Sequence, residues 1–217
     1  TVTLGQAFDL LPPVLFLHGA GGASQWLPFM DLLARDFDLR VPEHPGFGDS
    51  GTPAWLRRVE DLAYYYLDVL QELDLTGVHL LGHSLGGWTA AALAIKDCSR
   101  IKSLTLISAA GVHVHGVARV DNFMGNPEQS LRALIHDQSV ADQLLAMDVP
   151  PEERERQLKN RFTTARLVWQ PRSYDPYLPQ WLHRIRVPTH IVWGEHDRLF
   201  PLRIGQAPQR RHDPVGI

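Results

Sequence analysis

At 217 residues the chain has room for one α/β domain, or for one such domain with an insertion. Hydrophobic residues at 44 % and charged residues at 21 % supply an ordinary core and exclude a disordered chain. A net charge of −3 offers no basic field to nucleic acid or to an anionic membrane, and a single cysteine, Cys98, excludes an internal disulfide.

In chain order, short apolar runs alternate with helical patterns. That alternation predicts an α/β fold: a mostly parallel sheet with helices on both faces. The run 13–18, Pro-Val-Leu-Phe-Leu-His, predicts the first strand, followed by the glycine-rich turn His18-Gly-Ala-Gly-Gly22. A helix over about 25–35 and a strand over 37–41 come next. In 61–73, Leu62, Tyr66, Val69, Leu70 and Leu73 share one helical face, and Asp61 sits in the first turn, where a carboxylate is favoured. A strand over 78–82 runs abruptly into the helix-forming stretch 88–95. Strands over 103–108 and 189–193 complete the sheet, and the near-continuous apolar character of the first and last two runs suits strands covered on both faces.

Between 111 and 186 the alternation breaks. Helical segments near 127–137, 139–147 and 151–169 are separated by Pro150-Pro151, Pro171, Pro176 and Pro179. The expected organisation is a core of residues 1–110 and 187–217, with 111–186 as a helical lid over the C-terminal edge of the sheet. Arg154, Arg156, Lys159 and Arg161 interleave with Glu152, Glu153 and Glu155, which predicts a solvated helix face. The apolar run at Val14–Leu17 is too short for a bilayer, and no charged n-region or cleavage site precedes it. The expected location is therefore cytoplasmic.

Chemistry concentrates at Gly82-His-Ser-Leu-Gly-Gly87, which holds the G-x-S-x-G pattern as Gly82, Ser84 and Gly86. A strand turning sharply into a helix strains its turn residue, and the glycines remove side chains that would collide there. The turn lifts the Ser84 hydroxyl clear of the sheet at a helix N-terminus, where the Leu85 N–H can face a developing oxyanion. Alone, the pattern also fits a glycine-rich turn with an incidental serine. A second oxyanion donor is expected from the loop after the first strand, at Ala20 or Gly21. That loop lacks the spacing of a nucleotide-binding turn.

A serine needs a base and an acid to orient that base. Asp197, in Trp193-Gly-Glu-His-Asp197 just past a strand, is the acid candidate, with Glu195 its rival and helix capping the plain alternative. Chain order places the base after Asp197, and His212 alone qualifies, although 198–211 hardly has room for a helix and a further strand. A non-catalytic tail histidine fits His212 equally well. His83 is expected to point away from Ser84, and His18 to fix the oxyanion loop. His113 and His115 share a face without acidic or cysteine companions at metal spacing, so no metal and no cofactor is expected.

With these residues the chain resembles the α/β-hydrolase superfamily, and within it lid-bearing serine hydrolases that include esterases and meta-cleavage-product C–C hydrolases. The resemblance rests on five motifs in order: His18–Gly22, Pro42-Glu-His-Pro-Gly-Phe-Gly-Asp-Ser50, Gly82–Gly87, Leu106-Ile-Ser-Ala-Ala-Gly111 and Trp193–Asp197. It implies Ser84 as nucleophile, Asp197 as triad acid, and an oxyanion hole at Ala20 and Leu85. A serine at the elbow argues against the dehalogenase and epoxide-hydrolase branches. Both ends are shorter than the pattern leads one to expect, and a homodimer would cover the surface thereby exposed. The expected activity is hydrolysis of a small carboxylic ester through an acyl-enzyme, with an apolar acyl group against Phe123, Met124, Leu144, Leu145, Met147 and Trp169. C–C hydrolysis of a vinylogous diketone is the same-fold alternative, and a non-catalytic binding scaffold the alternative from another class.

Overall fold

The computed structural model describes residues 11–121 and 123–207. Five parallel strands form one sheet in the order β2-β1-β3-β4-β5. They are β1 (Pro13–Leu17), β2 (Asp38–Arg40), β3 (Val78–His83), β4 (Ile101–Ile107) and β5 (Thr189–Val192). The early helices are α1 (Pro28–Leu33), α2 (Val59–Glu72) and α3 (Leu85–Lys96). Between β4 and β5 lie α4 (Pro127–Leu134), α5 (Gln138–Ala146), α6 (Pro151–Val168) and α7 (Leu178–Trp181), and α8 (Leu202–Gly205) follows β5. The alternation of apolar runs thus became the parallel sheet that it predicts, with each strand within two residues of its expected bounds.

Two of the sequence expectations need correction. The runs forming β4 and β5 are not covered on both faces: their burial alternates along the strand, and Val192 is 52 % exposed. β5 is the last strand of the sheet among the described residues, so burial there follows the pleat rather than the composition. The basic run of α6 is not simply a solvated face either. Lys159 Nζ donates to the carbonyls of Gly48 and Ser50 at 2.7 Å each, and Arg161 donates to the carbonyls of Phe123 and Gly125. Charged heads there close the ends of neighbouring loops.

Chain order reverses direction at β1, which has β2 on one side and β3 on the other. In an open parallel sheet the loops leaving such neighbouring strands diverge and leave a crevice at the carboxyl ends. The loop after β1 and the turn after β3 meet at that crevice. Helix α3 anchors it. All ten residues from Leu85 to Ala94 are buried, as an all-round apolar helix requires. Its contact with the sheet is backbone to backbone: a Cβ on Gly86 would lie 2.0 Å from the Leu17 carbonyl oxygen, and one on Gly82 would lie 2.4 Å from that of Gly86.

Candidate active site

Ser84 links β3 to α3 with φ +54° and ψ −114°, a left-handed conformation that a side chain adopts only when its surroundings impose it. Three main-chain bonds do so. The Ser84 N–H donates to Ile107 O at 3.0 Å, and its carbonyl accepts from Ala110 N at 3.0 Å and Trp88 N at 3.1 Å. Gly19 packs directly against the turn, where a Cβ would meet Ser84 Cβ at 3.2 Å. This reversed backbone interrupts the alternation of side chains along β3. His83 and Ser84 therefore border the same two cavities, which corrects the expectation that they point apart.

The larger cavity, about 540 Å³, is bordered by Ser84, Leu85 and Gly19–Gly22. Leu85 is the first residue of α3, so its N–H has no carbonyl partner within the helix. Ala20 lies in a turn closed by Gly22 N donating to Gly19 O at 3.2 Å. Both predicted oxyanion positions and the serine thus face one space. Of the six apolar residues expected around the acyl group, Phe123 alone borders this cavity. Met124, Met147 and Trp169 are instead 75 %, 63 % and 51 % exposed. The apolar wall is made by Leu27, Val120, Leu134, Val168, Leu199 and Phe200, residues scattered in sequence and brought together by the fold.

The smaller cavity, about 370 Å³, is bordered by Ser84 and Asp197 together. Asp197 Oδ1 accepts from Leu199 N at 2.9 Å and Phe200 N at 2.8 Å, which folds the loop after β5 about the carboxylate. It does not cap α8, whose N-cap is Pro201. Oδ2 has no hydrogen-bond partner among the described residues. Glu195 borders the same cavity but is exposed. His212 lies outside the described residues. Two imidazoles that sequence reasoning passed over border this cavity, His136 and His196, stacked with centroids 3.9 Å apart and planes at 20°. His196 lies within the Trp193–Asp197 motif, but no motif marks His136, and sixty positions separate the two rings, so only the fold joins them. His83 borders it too. Desolvation at the mouth of the two cavities holds its pKa below the ordinary value, while the Asp197 carboxylate pulls upward.

Behind the glycine loop, His18 and His44 stack with centroids 3.7 Å apart in a buried network. His18 Nδ1 lies 2.7 Å from Gly19 O and must donate to it, so Nε2 accepts the His44 main-chain N–H at 2.9 Å. His44 Nε2 donates to His18 O at 2.9 Å, and its Nδ1 accepts from the Tyr66 hydroxyl at 2.6 Å. Every ring nitrogen is thus satisfied in the neutral form. Burial pushes His18 down to about 4 and His44 well below its usual range. From the other side Asn160, 3 % exposed, donates to Gly21 O at 2.9 Å and accepts from Gly48 N at 2.8 Å.

His113 packs against Tyr174 with centroids 4.9 Å apart. Among the described residues no group of three or more His, Cys, Asp or Glu side chains could hold a metal ion, and no helix is long and apolar enough to cross a membrane.

Comparison with known proteins bears on this arrangement. A sequence profile of the alpha/beta hydrolase fold matches residues 12–211. The chain belongs to that family. Among its relatives is a 2-hydroxy-6-oxononadienedioate/2-hydroxy-6-oxononatrienedioate hydrolase of Cupriavidus pinatubonensis, 27 % identical over 212 residues, covering 88 % of this chain and 73 % of that one. Among solved structures, the 2-hydroxy-6-oxo-6-phenylhexa-2,4-dienoate hydrolase of Rhodococcus sp. strain RHA1 superposes with a TM-score of 0.70 at 21 % identity, over 94 % of this chain and 80 % of that one. The naproxen esterase of Bacillus subtilis does so with a TM-score of 0.70 at 20 % identity, over 96 % and 74 %. These α/β hydrolases share the fold with this chain.

Proposed function

We propose that this α/β hydrolase is a serine hydrolase that cleaves a small carboxylic ester. One observation carries the reading: a serine held in a left-handed turn borders one cavity together with Ala20 and Leu85, and a second together with a half-buried carboxylate. In this reading Ser84 attacks the carbonyl, and the N–H groups of Leu85 and Ala20 receive the oxyanion. An imidazole in the smaller cavity takes the serine proton and returns it to the leaving alcohol. Asp197, through Oδ2, orients that ring and stabilises its charged form. Water then attacks the acyl-enzyme by the same route. Chain order makes His212, which lies outside the described residues, the first candidate for that imidazole; His136 and His196, which border the cavity, are the next. The segment 111–186 acts as a lid that keeps water from the larger cavity.

A fluorophosphonate probe should label the protein on Ser84 and fail on Ser84→Ala, and 4-nitrophenyl butyrate should be turned over by the first only. Absence of labelling in the folded wild type would sink the nucleophile. His212→Ala should abolish turnover with the fold intact. Undiminished hydrolysis in that variant removes His212 and leaves His136 and His196 to be tested in the same way. C–C hydrolysis is the second reading, favoured by the name of the Cupriavidus relative. A 2-hydroxy-6-oxodienoate substrate cleaved faster than the ester would establish it over the first.

A further inference from the structure

Three charged residues border the larger cavity, whose lining is otherwise mostly apolar: Arg119, Asp121 and Arg172. Their bonds are unequally shared. Arg172 Nη1 meets Asp121 Oδ2 at 2.5 Å, and its guanidinium lies 3.9 Å from the Trp169 ring centroid. Asp121 Oδ1 accepts the Phe123 N–H at 3.0 Å. The acid is therefore fully engaged by Arg172 and by its own loop. Arg119 donates from Nη2 to the Arg172 carbonyl and forms no ion pair among the described residues. A guanidinium carries five N–H donors, so most of Arg119's are without a partner among the described residues. Among the described residues, two cations with one anion leave a positive charge uncompensated on this wall. Surrounding protein already disfavours the Arg119 charge, which Asp121 only partly offsets.

A purely structural role does not need that charge, because any amide donor at 119 would serve the Arg172 carbonyl. We propose that Arg119 receives a carboxylate at the end of the substrate remote from the scissile bond. A planar guanidinium fork matches two carboxylate oxygens, and partial exclusion of water strengthens the pairing. The space fits such a molecule: a rounded cavity of 540 Å³ is about 10 Å across, enough for a short acyl chain between serine and arginine. This inference rests on Ser84 being the nucleophile and names the substrate class as half-esters of short dicarboxylic acids.

The decisive comparison is between mono-4-nitrophenyl adipate and 4-nitrophenyl hexanoate, which share acyl length and differ by one charge. The wild type should favour the adipate at least tenfold in kcat/KM. Arg119→Gln keeps a donor for the Arg172 carbonyl, and should cut that preference at least tenfold, chiefly through KM. Arg119→Glu should shift the preference toward 4-nitrophenyl 6-aminohexanoate. A wild type without preference, or a preference that Arg119→Gln moves less than twofold, overturns the inference. If neither ester is cleaved and the fluorophosphonate leaves Ser84 unlabelled, the hydrolytic reading has failed instead. Calorimetric titration with adipate then decides separately: binding by the wild type that Arg119→Gln weakens tenfold supports the anion site, and equal or absent binding refutes it. Thermal melting of both variants confirms that they are folded.

Discussion

The floor and the wall of the larger cavity are built by different means. The floor is main chain against main chain, with Gly86 on the Leu17 carbonyl, Gly82 on the Gly86 carbonyl and the Ser84 turn tied to Ile107 and Ala110. The wall contributed by 111–186 relies on side chains: Arg172 on Asp121 and Trp169, and a helix α4 without a buried residue. Close-packed backbone tolerates almost no change, whereas half-exposed side chains can be exchanged at small loss. Such a division lets the turn at Ser84 stay fixed while the pocket around it varies.

The most severe test of this contrast is Gly86→Ala. The added carbon would lie 2.0 Å from Leu17 O and 2.5 Å from His18 O, both main chain, so helix and sheet must part. We expect a loss of about 3 kcal/mol or more, or no folded protein, read from the urea midpoint. Acid should act next most strongly, through His18. Its pKa is about 4 in the folded chain against 6.5 ordinarily, so the unfolded chain binds the proton first as pH falls. Stability should be intact above pH 6.5 and decline toward pH 4, by about 3 kcal/mol from this group, with His44 acting in the same direction. Urea titrations between pH 7 and pH 4.5 measure the slope, which His18→Gln should make shallower.

Asn160→Ala leaves the Gly48 N–H and the Gly21 carbonyl without their partner, an expected loss of about 2–3 kcal/mol in chemical denaturation. Ser84→Gly should gain about 1 kcal/mol by relieving the left-handed turn, and a stability at or below wild type would argue against strain there. On the wall, Asn126→Ala removes the α4 capping box, in which Asn126 Oδ1 accepts from Gln129 N at 2.8 Å. About 1 kcal/mol at most is expected by thermal melting. A larger effect at Asn126 than at Asn160 would erase the distinction between floor and wall.

What could be read beforehand follows the same line. Strands, the sharp turn at Ser84 and the glycine loop depend on neighbours in sequence, so periodicity and motif expose them. That Asp197 borders a cavity with Ser84 agrees with its place in the loop after β5, but its hold on Leu199 N and Phe200 N is a loop geometry that no spacing announces. The position of His83 beside Ser84 was hidden because a single left-handed residue breaks the alternation that strand reasoning assumes. Arg119 and the His136–His196 stack were hidden for another reason: their partners come from distant helices and loops. The acyl wall expected at Leu144, Leu145 and Met147 was placed by apolar character alone, and character does not say which way a helix turns.

Asn160 ties helix α6 to the loops around the candidate site, which its place in the segment 111–186 conceals. One amide joins that helix to Gly21 in the glycine loop and to Gly48 beyond β2. A segment 111–186 taken from another member of the family would have to supply an equivalent of this amide to both loops. Chimeras that exchange 111–186 should therefore work only when the loops at 19–22 and 43–50 travel with it, and the unit that evolution can swap is larger than the segment that looks detachable.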